Sequence, residues 1–153
     1  MTWLENRIPP PIVAAAFALG MRAVAIWTPG ASVRFPGQAV ATTVLVAAGL
    51  GIIAVSIVQF HRARTTINPL NPQAVSALVT GGVFRFTRNP MYLGMALVLA
   101  GLAAWFGNAA CVLLLAGFVA WITHFQIAPE ERALRGHFGA EFDAYAGRVR
   151  RWL

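Results

Sequence analysis

Residues 39–60 read AVATTVLVAAGLGIIAVSIVQF. Thr42, Thr43, Ser56 and Gln59 are the only polar side chains in this run, and none is charged. As a helix it would extend about 33 Å, enough for a hydrocarbon core of about 30 Å. The rest of the chain agrees with that stretch. Of 153 residues, 58% are hydrophobic and 11% charged, where a soluble domain carries about 25% charge. Such a chain is too apolar to sit in water as a monomer, and it is not built like a disordered one. Cys111 stands alone, so a disulfide framework is excluded. The twelve basic residues, all arginine, face five acids and leave a net charge of +7. A nucleic-acid partner would need those arginines on one face of a soluble fold. Here most fall between apolar runs, and no nucleic-acid partner is expected.

Working outward, three more apolar runs appear. Residues 11–27 have Pro9, Pro10 and Pro11 at their start, where proline is tolerated in a helix. No small-residue cleavage site follows, so the run reads as a retained span and not a signal peptide. Residues 91–106 and 109–127 flank Gly107-Asn108, a turn signal that predicts a tight helical hairpin. The first of these two is short for a full crossing. The expected fold is therefore an all-α integral membrane protein of about four spans, one domain over 1–153. Arg62, Arg64, Arg85 and Arg88 lie between spans two and three, and five arginines follow span four. Arginine-rich loops stay in the cytoplasm. Both termini are placed there, in the plasma (inner) membrane. Arg22, inside span one, reads as snorkelling to an interface or as meeting a lipid head group.

Most of the polar chemistry falls into two segments expected to be cytoplasmic. The first, RARTTINPLNPQAVSALVTGGVFRFTRNP over 62–90, allows a short amphipathic helix over 73–79 and a turn at Gly81-Gly82. The second, QIAPEERALRGHFGAEFDAYAGRVRRWL over 126–153, places Leu134, Phe138, Phe142 and Tyr145 on one face of a helix. Pro129 followed by Glu130-Glu131 is a good helix start, because acids offset the positive helix end. The same carboxylates are also candidates to meet a cationic ligand. His61, His124 and His137 are too scattered for a metal set. No metal is expected. His124 reads as a polar core residue or as a proton acceptor.

Taken in order, Leu78-Val79-Thr80-Gly81-Gly82-Val83-Phe84, Arg88-Asn89-Pro90-Met91-Tyr92-Leu93-Gly94, an apolar hairpin, Glu130-Glu131 and Phe138-Gly139 resemble a known C-terminal core. It is that of the isoprenylcysteine carboxyl methyltransferases and the related phospholipid methyltransferases. The resemblance covers roughly residues 65–152. It implies a membrane-embedded enzyme using S-adenosylmethionine, with residues 61–153 as the cofactor-binding core and 1–60 as two added spans. The cofactor would enter from the cytoplasm and a lipid-like or isoprenoid substrate from the bilayer. By position, Ser76, Ala77, Leu78 and Val79 would line the cofactor pocket. Phe84, Asn89, Pro90, Met91 and Tyr92 would hold the adenosine and methionine parts, and Glu130 the amino group. Glu131 and His124 would be the catalytic groups, with Gln126 and Arg88 on the substrate side.

Asn-Pro-Met-Tyr is closer to the phospholipid N-methyltransferases than to the Arg-His-Pro of the prenylcysteine enzymes. Those enzymes also place an arginine where this chain has Gln126, and an amide cannot pair bidentately with a substrate carboxylate. Two alternatives share features of the sequence. Membrane sterol reductases carry a related Arg-x-Pro-x-Tyr core with a reduced nicotinamide cofactor. A small scaffold or transporter subunit would explain the spans but not the paired polar segments.

Overall fold

The computed structural model describes residues 5, 7–63 and 77–153, and every regular element among them is helical. Helix α1 (Pro10–Trp27) begins on its two prolines and ends where the Thr28 hydroxyl donates to Val24 O at 2.7 Å. Helix α2 (Gln38–Arg62) has 25 residues and contains the whole uncharged 39–60 run expected as a span. Helix α3 (Pro90–Phe106) has 17 residues, about 26 Å of rise and short of a full hydrocarbon core. Helix α4 (Ala110–Ile122) passes through a π turn (Thr123–Ile127) directly into α5 (Ala128–Phe138), and α6 (Ala140–Arg148) follows. The α1, α2 and α4–α5 helices are each long and apolar enough to cross a membrane. In the last of these the apolar part is 110–127; from Ala128 onward the helix carries Glu130, Glu131, Arg132 and Arg135.

Helices α2 and α3 touch backbone to backbone. A Cβ added to Gly49 would lie 2.5 Å from Gly94 O, and one added to Gly94 would lie 2.6 Å from Gly49 O. Gly101 repeats the arrangement one heptad later, against Val46 and Thr42. In lipid the hydrophobic effect does not drive helices together, so close packing of small residues takes its place. A separate apolar cluster joins α1, α3 and α4 through Val13, Met21, Leu99, Cys111, Phe118 and Ile122. Cys111 is a buried filler there.

One end of the bundle is closed by Gly107-Asn108, the predicted turn. Gly107 takes φ +56°, a left-handed conformation that glycine adopts freely. The Asn108 side chain accepts from Ala110 N–H at 2.9 Å and donates to Thr28 O at 2.9 Å. Backbone bonds from Val33 N–H to Gly107 O and from Ala109 N–H to Ala31 O lash the α1–α2 loop to this turn. The opposite end holds the polar segments.

Three expectations are corrected. Pro129 does not open a new helix, because α4 continues through the π turn into α5. The Ala128 N–H reaches back five residues to Thr123 O, and this wider turn precedes a residue with no N–H to donate. The tail is not one helix: Gly139, at φ +51°, breaks it into α5 and α6. Ala77 to Val79 are not helical, while the remainder of the expected 73–79 helix lies outside the described residues.

Candidate active site at the polar end of the bundle

The start of α3 is a turn built by Thr87-Arg88-Asn89 before Pro90, whose fixed φ suits a first helical position. Tyr92, buried on the first turn, donates its hydroxyl to Glu130 Oε1 at 2.5 Å. The π turn sets this contact. It shifts the register of everything after Ile127, so α5 presents Glu130 and Glu131 toward α3. Burial raises the Glu130 carboxyl to about 7; the Tyr92 hydrogen bond works against that rise and the neighbouring Glu131 charge adds to it. Among the described residues, Tyr92 is its hydrogen-bond partner and no cation pairs with it.

Glu131 lives in a different environment. Its Oε1 accepts from Arg88 Nη2 at 2.7 Å and Nε at 3.2 Å, and from Arg151 Nε at 3.1 Å. Its Oε2 accepts from Arg151 Nη2 at 2.6 Å. Burial opposes its charge, but the hydrogen bonds from Arg151 and Arg88 prevail and hold the carboxyl below the ordinary range. Arg88 spends its other nitrogen, Nη1, on Ala146 O at 2.8 Å and Val149 O at 2.6 Å.

The C-terminal residues then close over the α3 turn. Arg88 N–H donates to Arg150 O at 3.0 Å. Asn89 Nδ2 and the Thr87 hydroxyl both donate to Arg151 O, at 2.8 and 3.2 Å. Trp152 Nε1 donates to Thr123 Oγ1, in the π turn, at 3.1 Å. Below this layer, Tyr145 donates to Phe84 O at 2.7 Å, and Phe84 packs edge-on against Phe60. Burial pushes the Tyr145 phenol up to about 12, so it stays a donor.

The structure thus brings together Asn89, Pro90, Tyr92, Glu130, Glu131 and Arg88 from the residues singled out in the sequence; Met91 lies half-buried between Pro90 and Tyr92. Ala77, Leu78 and Val79 are half-buried and lead into the Gly81-Gly82 turn. Ser76 lies outside the described residues. Phe84 is a packing residue between α2 and α6. Arg88, expected on the substrate side, has its guanidinium turned inward onto Glu131 and two carbonyls. Gln126, expected there too, is buried and donates to Ile8 O at 2.7 Å, tying the π turn to the start of α1. His124 is exposed with its ring edge against Phe125. Thr87, Arg151 and Trp152 were not singled out: the Thr87 hydroxyl, the Arg151 guanidinium and carbonyl and the Trp152 indole meet partners far away in the chain, which local spacing does not reveal.

The polar end of this all-helical bundle joins Arg-Asn-Pro-x-Tyr to Glu-Glu and is the candidate site. Residues 38–141 match the family model for phospholipid methyltransferases, more than half the chain, and the protein belongs to that family. It is also 43% identical over 63 residues to an uncharacterized protein of Haemophilus influenzae, covering 41% of this chain and all of that one. No solved structure matches the chain.

Proposed function

We propose that the protein is an S-adenosylmethionine-dependent methyltransferase acting on a lipid-like or isoprenoid substrate that enters from the bilayer. The observation that carries this is Glu130, a partly buried carboxylate held by a phenol and matched by no cation among the described residues. Buried charge is unfavourable unless it is paired. An ammonium group arriving with a ligand would complete it, and the amino group of S-adenosylmethionine has that charge. Family membership supports the same choice.

Bound there, the cofactor would supply a methyl group on a positively charged sulfur, ready for in-line transfer to an oxygen, nitrogen or sulfur nucleophile. The residues of the chain then bind and align. Glu130 holds the amino group, and Tyr92 fixes the carboxylate's direction. The turn at Asn89-Pro90-Met91 and the stretch Ala77, Leu78 and Val79 shape the pocket. Glu131 keeps its charge on Arg88 and Arg151, which makes it a positioning group and a poor base. An amine substrate would need to reach the site neutral, since Glu131 is held on two arginines and Glu130 is committed to the ammonium group. Enclosure at the membrane border excludes water and concentrates the effect of alignment.

Orientation follows from the arginines. Arg62, Arg85, Arg88, Arg132, Arg135, Arg148, Arg150 and Arg151 all lie in the polar-end segments, so this end faces the cytoplasm. Calorimetry on detergent-purified protein tests the proposal. S-adenosylmethionine should bind, and Glu130→Gln should weaken it about tenfold or more, the loss of one charge-assisted pair. Binding of NADPH in its place would instead indicate the sterol-reductase class. Lipid extracts incubated with methyl-labelled S-adenosylmethionine would identify the acceptor.

A further inference from the structure

We propose that residues 149–152 form a positioning strap that sets the distance between Tyr92 and Glu130, with Arg151 as its coupling residue. The proposal rests on the cofactor site described above and adds a segment to it. The strap touches both halves of the site. On the α3 side, the carbonyls of Val149, Arg150 and Arg151 receive the Arg88 side chain, the Arg88 amide, and the side chains of Asn89 and Thr87. On the α5 side, the Arg151 guanidinium bonds both oxygens of Glu131, and the Trp152 indole bonds Thr123 in the π turn.

Residue 151 therefore acts in two directions at once. Its carbonyl holds the turn that starts α3, and its side chain holds the helix that carries Glu130. Among the described residues, the other direct polar ties between the two halves are the Tyr92–Glu130 hydrogen bond itself and the Arg88–Glu131 ion pair. A π turn has poorer backbone geometry than an α-helix, and such turns recur at functional sites where their register must be held. Trp152 on Thr123 and Gln126 on Ile8 hold this one from two sides. The Glu131 contact also raises the affinity of Arg151 for its proton, so the coupling charge is permanent.

The experiment uses full-length protein in detergent and has two readouts. The first is hydrogen exchange without cofactor over residues 87–93 and 123–131. The second is S-adenosylmethionine affinity by calorimetry. Arg151→Gln should speed exchange in both segments. It should also weaken the cofactor on the order of tenfold to a hundredfold, since a misplacement of about 1 Å in a site has effects of that size. Arg148→Ala removes the same charge from an exposed position, where Arg148 Nε donates to Ala144 O within its own helix, and should change neither. Arg151→Lys should recover part of the affinity, because a lysine keeps the charge but not the two-pronged contact. If Arg151→Gln fails to fold, Arg151→Lys and Trp152→Phe carry the same test, the latter deleting only the Thr123 bond. Wild-type exchange and affinity in the folded variants would overturn the strap. Absence of cofactor binding in the wild type would refute the cofactor reading alone, and the exchange measurement would still decide the strap.

Discussion

Adding one methyl group at Gly49 should destabilise the bundle, while adding one two residues later at Gly51 should not. A Cβ on Gly49 would meet Gly94 O at 2.5 Å, Val98 Cγ2 at 2.9 Å and Val98 N at 3.0 Å. Ordinary contact begins near 3.4 Å, so the α2 and α3 backbones would have to separate by about 0.9 Å, since two of the obstacles are backbone atoms. Overpacking of this kind destabilises by about 1–3 kcal/mol. At Gly51 nothing lies within 4 Å. There Ala brings only its better helix propensity, a gain of about 0.5–1 kcal/mol. Unfolding of the two single variants in detergent micelles, by heat or by SDS titration, measures the difference directly. The gap between them should be about 1.5–4 kcal/mol, from the same two contributions with opposite signs. The strain is shared with Gly94, whose own Cβ would meet Gly49 O at 2.6 Å. Gly49→Ala with Gly94→Ala should therefore be worse than either alone but less than their sum, because one separation relieves both. Equal stability of Gly49→Ala and Gly51→Ala would refute the close backbone contact.

Two further outcomes are expected. Cofactor affinity should rise with pH through the Glu130 titration near 7: the ammonium is held by the ionised form, so binding should strengthen about eightfold from pH 6 to 7.5, and Glu130→Gln should flatten that profile in calorimetry. Asn108→Ala should lower thermal stability by about 1–2 kcal/mol, as loss of a helix cap with a buried partner does, since its side chain both caps α4 and bonds Thr28; an unchanged melting temperature would mean the α1–α2 loop is held by its backbone bonds alone.

The spans and their closing turn were legible because each has a local cause. An uncharged run of helix length has one stable place to go, and Gly-Asn is suited to a left-handed turn. The Tyr92–Glu130 pairing was legible only as membership of one pocket, through the family resemblance. What stayed hidden depended on partners distant in the chain. The spacing of Leu134, Phe138, Phe142 and Tyr145 runs in phase straight across Gly139, so periodicity could not reveal the break there. The π turn contains neither glycine nor proline to mark it, and Pro129 after it mimics a helix start. Arg151 read as topology because its role is carried half by its carbonyl. A usable signal did exist for the α2–α3 contact: Gly94 and Gly101 are seven residues apart and so share a helix face.

Glu130 and Glu131 show why the motif needs two acids. Neighbours on a helix point about 100° apart, so one turn of α5 delivers the carboxylates to two surroundings. Glu131 meets two arginines and is held ionised as the join between α5, the α3 turn and the C-terminus. Glu130 meets a phenol and low-polarity surroundings, and its proton is loosely balanced near neutrality. If both were paired with arginine, no charge would be left for a cationic ligand. If neither were, α5 would carry two buried negative charges with nothing to fix its register. With the arginines spent on Glu131, Glu130 has no cation among the described residues, and this division is what the proposed ammonium contact rests on.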